Sequence, residues 1–480
     1  MVLEGKKTLV KFAGLTVILN LLVKPIWLFL FDRKVQATLG NADYGTYFSA
    51  FNVAFLASIV LDFGMSYWNN RALAFDEAKQ RKYQQAIFTL KGFFSLMFLG
   101  LGLCLSLLTS LKGDALLLFW GGMMLQWFSH WLSFFRSVLS GIQKFGWDAF
   151  FSVLDRLLAM FGVGWLLWDH RISASTFAWI QAASYALSAF LVFLLLRRFQ
   201  FRWSFSSNPG IFKEILRSSF PFFVMVMAMS LYARLDGIML DRVFQLPKEA
   251  GAYAAFFRLY EAGIIFPTLI AGVLTPLVAR HLGSGLSIAD VLQTGASWIL
   301  LPAIGVVGAL FSYPQPIFDV VYQGDALPSD LIQALFPMVG LVFFFHSVVL
   351  LYGATLTAMG ELKWLIFWAL GSAVLALLFH VILIPTHGAL GAAWATAVGH
   401  GCMAIGCFWG VLKKSGLKKE LLKKGWRIGI FLSLLLAFLY WDPLVFELGL
   451  WVWFLMLGLS AVMLRLLDLR TFSLFLKKSA

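Results

Sequence analysis

Charged residues are scarce in this sequence. Only 13% of its 480 residues are Asp, Glu, Lys or Arg, whereas 60% are hydrophobic. A soluble domain cannot bury so large an apolar fraction, so the composition excludes a soluble protein and indicates a polytopic membrane protein. The net charge of +14 would suggest nucleic-acid binding in a soluble chain. In a membrane protein Lys and Arg collect in cytoplasmic loops instead, so we expect no nucleic-acid partner.

Cysteine is almost absent, and long polar loops are missing. Cys104, Cys402 and Cys407 lie in apolar runs without ligand spacing, so we expect core residues and neither a disulfide nor a metal site. An enzyme that acts on a bulky extracytoplasmic substrate usually needs a large outer loop, and the connections here are short. We therefore expect that the protein is not an enzyme. No phosphate-binding loop motif occurs, which predicts no ATP site.

The sequence does contain a long series of apolar runs. A membrane helix needs about 20 apolar residues, and this length predicts fourteen spans. The shortest, 426–442, is marginal, so twelve or thirteen spans stay open. The approximate limits are 9–31, 43–66, 84–110, 115–138, 149–169, 173–196, 214–240, 251–279, 290–311, 329–352, 360–383, 389–411, 426–442 and 446–468.

The distribution of Lys and Arg predicts the orientation of these spans. With a cytoplasmic N-terminus, 27 of the 38 fall in inner segments and 6 in outer segments. This bias predicts that both termini are cytoplasmic. The basic segment 413–425 is either a plain cytoplasmic anchor or a segment that lies on anionic lipid head groups.

Residues 21–51 and 231–257 resemble each other. Each has a cation inside the span, an Asp-Arg pair at the outer end, and an acid before Gly-x-Tyr at the start of the next helix. The copies lie six spans apart and share one orientation, which predicts a parallel repeat. We expect an N-terminal lobe (1–200, helices 1–6), a C-terminal lobe (201–412, helices 7–12), and a basic linker with helices 13–14 (413–480). The matched residues are Lys24 and Arg234, Asp32-Arg33 and Asp241-Arg242, and Asp43, Gly45 and Tyr47 with Glu249, Gly251 and Tyr253.

Four segments of the chain resemble one known family. LGNADYGTYFSAFNVAFLASIVLDFGMSYWNNRALA (39–74) is similar to the second-helix signature of bacterial polysaccharide-repeat flippases of the O-antigen type. SFPFFVMVMAMSLYARLDGIML (219–240) and EAGAYAAFFRLYE (249–261) resemble their helices 7 and 8. LIPTHGALGAAWATAVGHG (383–401) is similar to their twelfth helix and the loop before it. Their superfamily also contains multidrug antiporters and the lipid II flippase.

The resemblance implies both a fold and a function. The fold is an all-α polytopic bundle with two six-helix lobes and a V shape. The function is to move undecaprenyl-pyrophosphate-linked oligosaccharide from the inner to the outer leaflet of the bacterial cytoplasmic membrane by alternating access. The implied partners are this lipid-linked glycan, membrane lipids and the polysaccharide polymerase machinery.

Three cations inside the spans share one predicted depth. Lys24, Arg234 and Arg258 each lie about 6–8 residues from the outer end of their helix, roughly 9–12 Å at 1.5 Å per residue. Together they could coordinate a diphosphate, which Arg binds bidentately and Lys binds as a point charge. The alternative is ion-paired packing, above all between Arg258 and Glu261 at i, i+3. Lys24 also precedes Pro25, which can bend helix 1.

Further charged residues lie near the inner side of the membrane. Asp155 and Arg156 in helix 5 are candidates for the first contact of an entering sugar diphosphate. Asp62 at the inner end of helix 2 is a candidate gate contact between the lobes. For all three residues the alternative is an ordinary charge at a helix end.

Glu261 and Asp236 are candidates for coupling transport to an ion gradient. Burial favours a neutral carboxyl group, whereas a nearby Arg favours the carboxylate. Phosphate that binds Arg258 would favour protonation of Glu261, and such linkage is reciprocal. We expect an ion gradient or the membrane potential as the driving force, with no cofactor. His346, His380 and His400 are interpreted as hydrogen-bond donors between helices and are left out of the site.

Two alternative functions follow from the same features. A small-molecule antiporter of the same superfamily is one, but cationic drugs would need an acidic cavity. A polytopic glycan polymerase or lipid-linked glycosyltransferase is the other, and it would need a long outer loop.

Overall fold

The computed structural model describes residues 14–66 except 17, 77–142, 144–199, 205, 208–322 and 327–416. Within these ranges all regular structure is helical. The predicted helices 13 and 14, most of the basic segment and both termini lie outside the described residues.

The described chain divides into two compact units, Met1–Ala254 and Ala255–Ala480. The boundary lies inside one helix, α7, whose first turn packs within the first unit through the hydrogen bond from Gln36 Nε2 to the Gly251 carbonyl. The lobe boundary predicted from the repeat is a different division, and it stays a prediction.

The helices of the described chain follow in order. The first unit contains α1 (Gly14–Asp62), α2 (Glu77–Leu108), α3 (Gly113–Gly141), α4 (Phe145–Trp168), α5 (Ala174–Arg198) and α6 (Pro209–Ile238). The next helix, α7 (Pro247–Gly283), begins in the first unit and continues in the second. The second unit also contains α8 (Ala289–Ser312), α9 (Pro314–Tyr322), α10 (Ser329–Met359) and α11 (Leu362–Lys414).

Two of these helices reverse direction at a glycine. In α1, Gly40 has φ 76° and ψ 167°, and the Tyr44 hydroxyl donates to Asp32 at 2.7 Å. Twelve residues of straight helix would span about 18 Å, so the chain must turn back between them. In α11, Gly388 has φ 52°, and Trp364 Nε1 donates to the Gly406 carbonyl at 2.8 Å. Each of these two helices therefore consists of two antiparallel arms. Glycine suits the point of reversal because it tolerates a positive φ.

The helices account for the first twelve predicted spans. In the described part of the chain, nine helices are long and apolar enough to cross a membrane. Two of them, α1 and α11, contain two arms each, and α3 coincides with the predicted span 115–138. The all-helical membrane fold is confirmed, whereas the total of fourteen spans stays a prediction.

Each unit has its own apolar interior. In the first, α3 packs on α5 and the second arm of α1 packs on α6. One cluster of buried residues there includes Met65, Phe94, Leu139 and Val192. In the second unit, α10 packs against α8 and α11. These interiors hold the helices that carry the charged residues of the predicted site.

Candidate functional site

The first unit brings Lys24 together with Asp155 and Arg156. Lys24 on the first arm of α1 is half-buried and interacts electrostatically with both residues of α4. One turn earlier, Asn20 Nδ2 donates to Ser152 Oγ at 2.9 Å, which holds the two helices side by side. Residues four apart lie on one helix face, so the Asn20 contact directs Lys24 toward α4. The sequence pattern alone predicts separate roles for these residues.

Aromatic rings hold the guanidinium group of Arg156. Its Cζ lies 5.5 Å from the Trp27 ring centroid and 5.6 Å from that of Tyr185. A guanidinium over an aromatic face is attracted by the ring quadrupole. Tyr185 also shares a side-chain hydrogen bond with Asp155, whose carboxylate lies 3.6 Å from Arg156 Nε. Asp155 is nearly buried, while 25% of the Arg156 side chain stays exposed. The cation therefore presents more surface than its acidic neighbour.

A second ion pair lies beside this group. Arg136 Nε on α3 lies 2.9 Å from Asp148 Oδ1 on α4, and Ser140 Oγ donates to the same carboxylate at 3.0 Å. Arg136 also interacts electrostatically with Lys24. We name Lys24, Arg136, Arg156, Asp148 and Asp155 the cationic cluster. Three cations face two carboxylates, so the cluster has a net positive charge and suits an anionic ligand.

The two copies of the repeat pack against each other in the first unit. A Cβ atom on Gly45 would lie 2.0 Å from the Pro247 carbonyl O, and one on Gly251 would lie 1.8 Å from the Asn41 carbonyl O. Both positions therefore require glycine for the backbones to approach. We name this contact the glycine junction. It joins the start of the second arm of α1 to the first turn of α7.

Both repeat copies also contain an unusual helical turn. A π-turn covers Trp27–Asp32 in α1, and another covers Met239–Val243 after α6. Each includes the aspartate of the matched Asp-Arg pair, Asp32 or Asp241. π-turns occur frequently at functional sites. The structural match favours a true internal repeat.

Arg234 and Asp236 lie near the second arm of α1. The Arg234 guanidinium lies 4.8 Å from the Phe55 ring centroid. Asp236 is fully buried and accepts hydrogen bonds from the Tyr253 hydroxyl at 2.6 Å and from the Gly237 amide at 2.7 Å. These bonds connect Asp236 to the tyrosine of the Gly-x-Tyr motif in α7. The carboxylate is thus part of the packing beside the glycine junction.

Arg258 and Glu261 belong to the second unit and pair with each other. Arg258 Nη1 lies 2.5 Å from Glu261 Oε2, at the i, i+3 spacing on α7. Both side chains are largely buried. This pair is the packing alternative that the sequence analysis considered for Arg258. A bidentate anion at Arg258 would compete with Glu261 for the same guanidinium.

Asp62 pairs with Lys91, which was not predicted as a site residue. Lys91 Nζ on α2 lies 3.1 Å from Asp62 Oδ1, and the two side chains are 6% and 16% exposed. The Ser66 amide and hydroxyl also donate to Asp62. The signal in the sequence was a single Lys in the predicted span 84–110. A gate role for Asp62 stays a prediction, and its observed contacts lie within the first unit.

Of the comparisons with known proteins, one identifies a family and another identifies a fold. The profile of the family described as "Polysaccharide biosynthesis protein" matches residues 11–281. A comparison with curated proteins gives no match.

Several solved structures share the fold of this chain. A lipid II flippase, MurJ, in an inward closed conformation has 16% sequence identity and a TM-score of 0.71, with 94% of this chain and 98% of that chain covered. An inward-facing multidrug resistance MATE family transporter of the MOP superfamily has 18% identity and a TM-score of 0.62, with 84% and 96% covered. A MOP superfamily transporter from Pyrococcus furiosus, described with a binding pocket of reverse polarity, has 17% identity and a TM-score of 0.58, with 86% and 97% covered.

Proposed function

Since the chain belongs to the polysaccharide biosynthesis protein family, we propose that it is a flippase for lipid-linked oligosaccharide. The substrate is an undecaprenyl-pyrophosphate-linked repeat unit, which the protein moves from the inner to the outer leaflet of the bacterial cytoplasmic membrane by alternating access. The protein acts as a transporter and not as an enzyme. The membrane lipids and the polysaccharide polymerase machinery are its proposed partners.

The observation that carries this proposal is the cationic cluster. Ions inside membrane helices cost about 2.5–17 kcal/mol each, so unbalanced cations there need a counter-ion. Lys24 and the partly exposed Arg156 offer a point charge and a planar donor, the combination that suits a diphosphate. Trp27 and Tyr185 hold the guanidinium of Arg156 in place. A cationic drug would be repelled by the same cluster, which disfavours the antiporter alternative.

The Arg258–Glu261 pair supports a role in coupling. A phosphate that binds Arg258 withdraws the guanidinium from Glu261. Burial then favours the neutral, protonated form of the Glu261 carboxyl group. Proton uptake at Glu261 is then linked to substrate binding, and the linkage is reciprocal. Asp236 is a second coupling candidate, through its hydrogen bond to Tyr253. We propose an ion gradient or the membrane potential as the driving force, without a cofactor.

Depletion of the protein tests this function directly. We expect the lipid-linked oligosaccharide to accumulate in the inner leaflet, which lowers the fraction of glycan that an impermeant glycosidase releases from intact spheroplasts. Complementation with the wild-type chain should restore release, and complementation with Arg156→Ala should not. If the intermediate reaches the outer leaflet at the normal rate without the protein, the proposal fails.

A further inference from the structure

Three ring side chains from three helices meet in the second unit. The Tyr260 hydroxyl on α7 hydrogen-bonds with Nδ1 of His346 on α10. The His346 and His400 ring centroids lie 5.3 Å apart, and the Tyr260 centroid lies 6.2 Å from that of His400 on α11. Tyr260 is 6% exposed and His400 is 1% exposed. We name these three residues the imidazole cluster, which the sequence analysis had left out of the site.

The hydrogen bonds assign the basic nitrogen of His400. Its Nδ1 lies 3.0 Å from the Thr396 carbonyl O, which can only accept, so Nδ1 carries the hydrogen. In the neutral ring Nε2 then has the lone pair and is the atom that takes up a proton. In His346, an unprotonated Nδ1 accepts from the Tyr260 hydroxyl. A protonated Nδ1 cannot accept, so protonation of His346 changes the contact between α7 and α10.

Few other charges surround the cluster. On α7, Arg258 and Glu261 lie within one turn of Tyr260 and pair with each other at 2.5 Å. Within two turns of the histidines, α10 and α11 carry no Asp, Glu, Lys or Arg. In α8 and α9, which both pack on α10, the only such residues are Asp290 and Asp319. The remaining titratable groups within two turns on α10 and α11 are Tyr352, Cys402 and Cys407.

We propose that the imidazole cluster is a proton-binding site that couples transport to a proton gradient. His346 and His400 share one proton, because two imidazolium ions at this separation would repel each other strongly. Tyr260 relays the protonation state to α7, two residues from Arg258. Proton binding and release in the second unit thus change the helix that carries a candidate ligand of the pyrophosphate. This coupling role rests on the proposed function, whereas proton binding itself does not.

Direct titration tests proton binding without any substrate. The full chain, labelled with ¹⁵N-histidine and reconstituted in lipid bilayers, is measured by solid-state NMR between pH 5 and 8. We expect His346 and His400 to titrate together with one proton in total. His346→Asn and His400→Asn should each change the pH at which the remaining histidine takes up its proton, because the two rings no longer compete for one proton. Tyr260→Phe, which keeps the ring, should shift the joint titration.

His380 provides a matched control on the same helix. It is fully buried, and its Nδ1 lies 2.7 Å from the Ala376 carbonyl O, the same backbone contact that His400 makes. Among the described residues, no second imidazole contacts it. His380→Asn should therefore leave the joint titration unchanged. The proposal is overturned if both rings stay neutral down to pH 5, or if His400 titrates identically with and without His346.

A transport measurement separates coupling from proton binding. In proteoliposomes with lipid-linked oligosaccharide, we expect an imposed pH gradient to stimulate flipping by the wild type and by His380→Asn. His346→Asn and His400→Asn should lose that stimulation at least tenfold. Equal stimulation in all variants would overturn the coupling role. If the wild type flips nothing while the joint titration is present, the proposed substrate is wrong and the proton site stands.

Discussion

At the scale of single residues, the site depends on charges that are only partly neutralised. Arg156 keeps a quarter of its side chain exposed and lies between two aromatic rings. Asp62 and Glu261, by contrast, each have a cation within 3.1 Å or less. Arg156 is therefore accessible to a ligand, whereas the charges of Asp62 and Glu261 are satisfied within the protein. Different effects of substitution are expected in the two cases.

Arg156→Ala should reduce transport more than Arg156→Lys. Loss of a desolvated charge contact costs about 2 kcal/mol or more, roughly a thirtyfold loss of affinity. Lysine keeps the charge but loses the planar donor and the stacking on Trp27, so we expect an intermediate effect. The flipping rate of lipid-linked oligosaccharide in proteoliposomes measures both.

A surface arginine provides the control for this experiment. Arg171 pairs with Asp169 at 3.2 Å, but its side chain is 78% exposed. Arg171→Ala should transport at the wild-type rate. Equal losses for Arg156→Ala and Arg171→Ala would show that net charge alone matters and would contradict the role of the cationic cluster.

Glu261→Gln should uncouple substrate binding from proton uptake. Glutamine cannot take up the proton that Glu261 binds when phosphate occupies Arg258. We expect proton uptake on substrate addition, measured with a pH-sensitive dye, to fall by about one proton per chain. Glu361→Gln is the control, because Glu361 pairs with Lys414 near a helix end. Full transport with unchanged proton dependence in Glu261→Gln would rule out this role.

The Asp62–Lys91 pair should behave as a buried ion pair. Removal of one partner leaves an uncompensated charge, which costs about 3–5 kcal/mol. We expect Asp62→Asn and Lys91→Met each to lower the thermal unfolding temperature in detergent, and the double variant to recover part of the loss. A double variant with the full sum of both losses would show that the two residues do not interact.

At the scale of helices, the close contacts require small residues at specific positions. The glycine junction brings the backbones of α1 and α7 together, and Gly237 on α6 leaves room for the Phe48 ring. Hydropathy alone does not reveal such contacts, because Gly and Ala are equally compatible with a membrane helix. In the repeat, however, the Gly-x-Tyr motif identifies Gly45 and Gly251, the two glycines of the junction, from the sequence alone.

Gly251→Ala should separate α7 from α1 at the glycine junction. The new Cβ would lie within 2.7 Å of three Asn41 backbone atoms, so the backbones must move apart. We expect a lower unfolding temperature and a changed transport rate. Gly100→Ala is the control, since no atom lies within 4 Å of its added Cβ. If both variants unfold at the wild-type temperature, the close approach at the junction is not required.

At the scale of the whole molecule, the Lys and Arg bias predicts the orientation in the membrane. Ser110 lies at the outer end of the predicted span 84–110, Ser284 lies in a predicted inner connection, and both are exposed. In a background without native cysteines, an impermeant thiol reagent should label Ser110→Cys in intact spheroplasts. It should label Ser284→Cys only after permeabilisation. The reverse pattern would invert the predicted topology.

The sequence predicted the fold more fully than the candidate site. The family resemblance, the all-helical membrane fold and the first twelve helices agree with the comparisons and with the structure. Lys24 and Arg156 were predicted as ligands, but their interaction with each other and the position of Arg156 beside Trp27 and Tyr185 were not. Lys91 and the imidazole cluster were not predicted as parts of a site, since their partners lie on other helices.

The sequence by itself determined the membrane class, the helices, the predicted orientation and the repeat. These properties depend on hydropathy and charge along short stretches of the chain. Hydropathy and charge can therefore be summed over a window of residues without knowledge of the tertiary structure. Only the tertiary structure decided which charged and aromatic side chains meet. Lipid-facing and protein-facing residues are both apolar here, so the pattern does not define how each helix is rotated. That rotation places Arg156 against Trp27, Lys91 against Asp62, and His346 against His400.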